Sequence, residues 1–185
     1  FRQLAAAVGA LPRMTPRLYE ARRFPVAGPS PTRDRELVAR VLARGDFRGD
    51  FLKEPEQVPR DPARPLCSAG VTRIRIAEAG TVYPCMYLAL PVGNVRDEGG
   101  LIRVWRESPV LNDFRKTLFA ASECHGCPKL PYCAPCPGTH YDATGSVLTP
   151  APYLCWEAQL RERLAKEKAA REATLQEAAR SSDAA

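Results

Sequence analysis

CHGCPKLPYCAPCP, residues 124–137, places four of the chain's seven cysteines within fourteen positions. Two residues between paired cysteines let the backbone curl, so that both sulfurs face one centre and nearby amides can donate hydrogen bonds to them. The pattern therefore speaks for a metal before it says which metal. Working outward, Cys67 is followed by twelve residues, Gly80, four residues and Cys85, while Cys155 lies beyond the cluster. Seven is odd, so disulfides alone would leave one thiol over, and the opening FRQLAAAVGALPR lacks the apolar length and cleavage pattern of a secretory leader.

Zinc is the main rival among metals. A four-cysteine zinc site commonly separates its two CxxC arms by roughly 15–20 residues. Here only the five residues PKLPY lie between Cys127 and Cys133. The better analogue is the bacterial ferredoxin run, in which closely spaced cysteines end in Cys-Pro and the last sulfur ligates the other cluster. Cys136-Pro137 closes this run in the same way. Cys67, Cys85 and Cys155 supply the distant partners, so the spacing favours two iron–sulfur clusters sharing one loop. A resting four-iron cluster with four thiolates carries roughly −2. Two of them would cancel most of the formal charge of +6, whose arginines are in any case scattered, and no nucleic-acid partner is expected.

Around the cysteines the expected fold class is α+β: a small β-hairpin and short helices organised around the two clusters, with a helical N-terminal segment and a C-terminal helical tail. Val71 to Ile76 alternates, with Thr72, Ile74 and Ile76 on one face, and AEAG turns the chain at Gly80 into Thr81–Val82–Tyr83. Residues 98–107 and 109–118 read as two helices that can lie on the hairpin. Ser108 is expected to cap the second, with Pro109 at its first position and Val110, Phe114 and Leu118 along one stripe. Upstream, Leu4, Val8, Leu11, Leu18 and Tyr19 suggest weak helix interrupted by Pro12 and Pro16, and Asp34 can cap a helix with Leu37, Val38, Val41 and Leu42 on its apolar face. EPEQVPRDPARP, residues 54–65, reads as an extended linker. Trp156, Leu160 and Leu164 begin a final helix whose second half has charges all round and is expected to be solvated or frayed. Gly80, Gly93 and Gly138 read as turn glycines. His125 and His140 read as loop histidines without a catalytic role, and Tyr83, Tyr132, Tyr141 and Trp156 as shields keeping water from the metal.

Taken jointly, the seven cysteines and Gly80 resemble the signature of the SPASM-type C-terminal domain of radical S-adenosylmethionine (SAM) maturases. The likeness covers about residues 67–160. GTVYPC (80–85), PVGNV (91–95) with a downstream VW (104–105), CPGTHY (136–141) and LCW (154–156) extend it. The resemblance implies two [4Fe–4S] clusters, one on Cys124, Cys127, Cys133 and Cys155 and one on Cys67, Cys85 and Cys136. The second set is one ligand short. Some relatives fill that place with a further upstream cysteine, but residues 1–66 contain none. Asp61 is a hypothetical fourth ligand, with an ordinary linker aspartate as the plainer reading; an open iron would instead be available to substrate.

The resemblance also implies binding of a peptide or protein substrate and uptake of the electron released when a substrate radical is oxidised. The CxxxCxxC triad that cleaves SAM in such enzymes is absent from this chain. No catalytic residue and no SAM-binding residue is therefore assigned, and SAM would enter only through a radical SAM core domain, in cis or in trans. Residues 1–60 are expected to be a helical segment and linker, placed as the last elements of a preceding barrel. Residues 61–160 form the auxiliary-cluster domain, and residues 161–185 a charged helical or disordered tail. Opening on Phe1 without an initiator Met suggests a fragment. No apolar run reaches the roughly 18 residues of a membrane span, so a cytoplasmic location is expected. Two other classes remain open: a metal-stabilised binding or scaffold module, tolerant of zinc or redox-inert clusters, and a plain ferredoxin-like electron carrier.

Overall fold

In the computed structural model, residues 35–43 and 61–183 are described, and they fall in two compact units: residues 61–158, and residues 35–43 together with 159–183. The expected helix over residues 1–23 and linker residues 54–60 lie outside the described residues.

The unit formed by residues 61–158 is built on a three-stranded antiparallel sheet, ordered β1 (Arg75–Ile76), β2 (Thr81–Tyr83), β3 (Gly93–Asn94). Arg75 faces Tyr83 and Ile76 faces Val82 in the hairpin, and the Gly80 N–H closes the turn on the Ala77 carbonyl at 2.8 Å. Gly80 holds φ 83°, a conformation that costs a residue with a Cβ considerably more than glycine. The turn thus falls where AEAG was expected to place it. The first strand is shorter than the alternation suggested, because residues 67–73 fold back on themselves: the Gly70 N–H is shared between the Arg73 carbonyl at 2.8 Å and the Pro84 carbonyl at 3.2 Å. Its outer residue Ile76 is exposed, and the buried side chain of the hairpin is Val82. The third strand was not expected. Gly93 lies within it rather than in a turn, with Val104 packed against its α-carbon.

Two helices follow, α2 (Gly100–Glu107) and α3 (Pro109–Lys116). Their positions match the expectation to within two residues, but they do not both lie on the hairpin. Val104 brings α2 onto β3, whereas α3 packs Leu111 and Arg115 against the loop that carries Cys67. The Arg115 guanidinium donates from Nε to the Gly70 carbonyl at 2.7 Å and lies 4.4 Å from the centre of the Trp105 ring. The buried stripe of α3 is Leu111 and Phe114 rather than Val110, Phe114 and Leu118. The helix ends before Leu118, which is 42% exposed and extended against Pro65. Ser108 occupies the N-cap position, and its carbonyl accepts the first helical bond from Asn112. Its hydroxyl caps nothing and is buried without a hydrogen-bond partner.

Residues 62–66, the end of the expected linker, run beside residues 117–120, and the Leu66 N–H bonds the Thr117 carbonyl at 2.9 Å. This pairing brings Leu66 into the core with Ala69, Leu88, Phe114, Phe119 and Cys124. A further helix, α4 (Pro137–Thr144), starts directly after Cys136. Its presence corrects two readings: Gly138 and His140 are helical, and His140 is only 1% exposed. The last helix, α5 (Pro152–Asp183), begins four residues before Trp156, with proline at its first position, where a missing N–H costs nothing. Ala151, Leu154 and Ala158 are buried in the same unit as the cysteines.

In the other unit, α1 (Arg35–Ala43) buries Val38 and Leu42 and leaves Leu37 exposed. Leu160 and Ala165 of α5 are buried there, and residues 166–181 are exposed throughout while remaining helical. The exposed turns carry i,i+4 pairs, such as Lys166 on Glu162 at 3.0 Å, that suit a solvated helix. No helix among the described residues is long and apolar enough to cross a membrane.

Candidate metal centre

None of the seven cysteines is in a disulfide. Cys67 lies just before the folded-back loop, and the Ala69 N–H donates to its sulfur at 3.2 Å. Cys85 follows β2 after one proline, and the Tyr87 N–H donates to its sulfur at 3.3 Å. Cys136 is the N-cap residue of α4. These three come from separate elements, yet the Cys67 thiol feels the charge of both Cys85 and Cys136. Cys67 and Cys85 also pack against the apolar core, so the sulfurs are partly withdrawn from water.

A second group forms around Cys124, which is 7% exposed. Its thiol feels Cys155, at the start of α5, and Cys127; Cys155 in turn feels Cys127. Cys127 and Cys155 are exposed, so this group has one inner and two outer members. The Ser122 hydroxyl serves Cys124: it accepts the Cys124 N–H at 3.2 Å, reaches the Leu148 carbonyl at 3.3 Å and favours the thiolate. Cys133, half-buried, ends the 3-10 turn Leu130–Tyr132 and donates its N–H to the Leu130 carbonyl at 3.1 Å.

Burial is the first cause that pushes the Cys67, Cys124 and Cys155 thiols up, and the facing sulfurs add to it. Opposing it at Cys67 are the Ala69 amide and the positive charge of Arg73. Crowded, partly desolvated thiols that repel one another on ionising are donors that a cationic core would relieve. His140 is shifted the other way: burial lowers it, while its Nδ1 lies 3.4 Å from the Val147 carbonyl and its Nε2 is buried without a hydrogen-bond partner.

The signs give a pH dependence for the metal-free chain. A thiol raised on folding holds its proton more tightly in the native state, so stability is present below the unfolded value of about 8.5 and is lost as pH rises above it. A histidine lowered on folding does the opposite, and stability is lost as pH falls below about 6.5. The urea midpoint of metal-free protein should therefore be highest between those values and lower at pH 5.5 and 9.5; a flat profile would contradict both burials.

Asp61 is exposed, and its Oδ1 accepts the Ala63 N–H at 2.8 Å, a local turn that orders the start of the unit. The charged neighbours of Cys67 are Cys85, Cys136 and Arg73. His125 is exposed and meets the Phe119 ring edge-on at 6.0 Å. Tyr141 packs on the same core as Cys67 and Cys85, while Tyr83 lies under the Arg75 guanidinium and Trp156 against Tyr153. Ser122 and Arg73 were missed by sequence reasoning. The Ser-x-Cys spacing of Ser122 could have signalled it, but Arg73 reaches Cys67 through a loop that no local pattern announces.

The donor set fits an iron–sulfur cluster: thiols from several elements, partial burial, and amide N–H groups aimed at sulfur. Residues 67–137 match the family model of SPASM, an iron-sulfur cluster-binding domain. The class that this match and the cysteine spacing support over these residues is a SPASM-type iron-sulfur cluster-binding domain. Cys155 lies beyond the matched residues. Curated proteins called AdoMet-dependent heme synthase are similar to the chain. That of Methanosarcina barkeri (strain Fusaro / DSM 804) is 30% identical over 87 residues, 47% of this chain and 25% of the relative. Those of Oleidesulfovibrio alaskensis and Nitratidesulfovibrio vulgaris are 31% and 30% identical over 101 residues, 55% of this chain and 26% and 27% of theirs. The chain thus spans about a quarter of the length of these relatives. No solved structure matches.

Proposed function

We propose that the SPASM unit holds two [4Fe–4S] clusters and serves electron transfer and substrate binding beside a radical SAM active site in the cytoplasm. Cys124, Cys127, Cys133 and Cys155 would hold one cluster; Cys67, Cys85 and Cys136 would hold the other, its fourth position open to substrate or closed by oxygen, with Asp61 as one such ligand. The observation that carries this reading is the gathering of sulfurs in two sets, Cys67 with Cys85 and Cys136, and Cys124 with Cys127 and Cys155. When bound, such clusters accept and release single electrons at potentials set by burial and by hydrogen bonds to sulfur. This chain's own contribution is to aim the Ala69 and Tyr87 amides at sulfur, to keep Cys124 out of water and to hold the Arg73 charge near Cys67.

Among the described residues no three His, Cys, Asp or Glu side chains are drawn close enough to hold one metal ion. A single zinc ion requires four sulfurs at about 2.3 Å from the metal, whereas a four-iron core accepts thiolates set farther apart. The two-set arrangement therefore supports clusters over the zinc-stabilised scaffold. With no CxxxCxxC motif, the chain would work with a radical SAM core in cis or in trans and would not start radical chemistry by itself. A peptide or protein is the substrate class implied by the maturase resemblance. The relatives' name, AdoMet-dependent heme synthase, favours a tetrapyrrole as a second reading.

Anaerobic reconstitution with iron and sulfide tests the metal assignment: about eight irons and eight sulfides per chain, with two reducible paramagnetic signals, are expected. Stoichiometric zinc without sulfide would sink it. Titrating the loaded protein with a cysteine-free model peptide and, separately, with a porphyrin distinguishes the substrate classes by which one perturbs the signal of the Cys67 set.

A further inference from the structure

α4 approaches the loop after β2 so closely that no side chain fits between them. A Cβ on Gly138 would stand 2.6 Å from the Tyr87 carbonyl oxygen and 2.7 Å from its carbonyl carbon. These are backbone atoms, so no rotamer change can make room. Gly138 has an ordinary negative φ, and the demand is for space rather than for an unusual conformation. The two partners are joined to sulfurs on either side. Tyr87 donates its N–H to the Cys85 sulfur, and Gly138 lies two residues after Cys136, the N-cap of the same helix.

We infer that Gly138 is a positioning residue: its seat on the Tyr87 carbonyl fixes the distance between Cys136 and the Cys67–Cys85 side of its sulfur set. The inference deepens the cluster reading above and rests on it for its metal consequence. Any side chain at 138 pushes the start of α4 outward and carries Cys136 with it. The sulfurs of Cys124, Cys127 and Cys155 lie on other elements and keep their places.

The test is Gly138→Ala in the full chain, with Gly145→Ala beside it. Alanine is the better helix former, so intrinsic propensity alone would strengthen α4 and leave the metal in place. Gly145, the C-cap of α4 at φ 79°, has open space around its would-be Cβ, and its substitution strains the same helix away from Tyr87. After anaerobic reconstitution, Gly138→Ala should hold about half the iron and sulfide of the parent and lose one of two paramagnetic signals, while Gly145→Ala keeps both. Alkylation mapping of the loaded protein should find Cys67, Cys85 and Cys136 reactive and Cys124, Cys127 and Cys155 protected. Parent-level iron in Gly138→Ala, or reactivity of all seven cysteines, would overturn the proposal. A metal-free measurement separates it from the cluster reading: a short bifunctional thiol reagent should link Cys67 to both Cys85 and Cys136 in the parent, and Gly138→Ala should lose only the link to Cys136. Retention of that link rejects the positioning role even if iron binding itself were refuted by a parent that takes up none.

Discussion

Cys124→Ser protein should retain about half the iron and acid-labile sulfide of the parent after anaerobic reconstitution, and should lose one paramagnetic signal rather than both. The reasons are chemical and local. A serine hydroxyl is a hard, weakly acidic donor where iron–sulfur cores select soft thiolates. It would also occupy a site among Leu66, Phe114 and Phe119, and a buried hydroxyl without a partner costs about 1–3 kcal/mol. Cys67→Ser should give the complementary result, because Cys67 faces Cys85 and Cys136 and belongs to the other set. Iron analysis and low-temperature spectroscopy on both variants read the partition directly. Parent-level iron in Cys124→Ser would remove that residue from the ligands, and complete loss in both variants would mean that the two sets are not independent.

The largest purely structural effect is expected at Phe119→Ala, with a loss of about 3–5 kcal/mol, the usual range for emptying a buried aromatic site. Phe119 is 2% exposed and is held from both the main chain and the ring. Its N–H bonds the Arg64 carbonyl at 3.0 Å, the Arg64 guanidinium carbon lies 4.8 Å from the ring centre, and His125 meets the ring edge. The Arg64 Nε is buried without a hydrogen-bond partner, so the ring face is the compensation this cation has there, worth roughly 0.5–2 kcal/mol. Against a typical domain stability of about 5–15 kcal/mol, the substitution would unfold a large fraction of a marginal metal-free chain. Urea unfolding of metal-free parent and variant measures it, and a loss below about 1 kcal/mol would place the ring outside the core.

How much of this was legible depends on the length scale of each signal. The cysteine spacing was readable because it follows a signature that the family model also matches over residues 67–137, and AEAG was readable because Gly80 carries its own turn chemistry. Strand β3 escaped because two residues, one of them glycine, offer no alternation to detect. At residues 136–138 the same letters supported two readings: Pro-Gly signals a turn, and proline is equally at home at the first position of a helix. Tertiary contact with Tyr87 selects the helix, and no local pattern contains that contact. Leu118 was assigned to the wrong environment for a related reason. The i,i+4 spacing from Val110 continued on paper, while the chain had already left the helix to pair with Pro65. The role of Asp61 was the least legible, since a carboxylate engaged with its own backbone, as Asp61 is with Ala63, looks in sequence the same as one free to bind elsewhere.

The uneven placement of the sulfurs bears on how the molecule ages in air. Cys127 and Cys155 stand at the surface while Cys124 is buried, so in metal-free protein peroxide meets the outer pair first and drives exposed thiolate there toward sulfenic and higher acids. A spoiled sample would be oxidised at that pair and intact at Cys124, and a bulk thiol count would average the two into a figure true of neither.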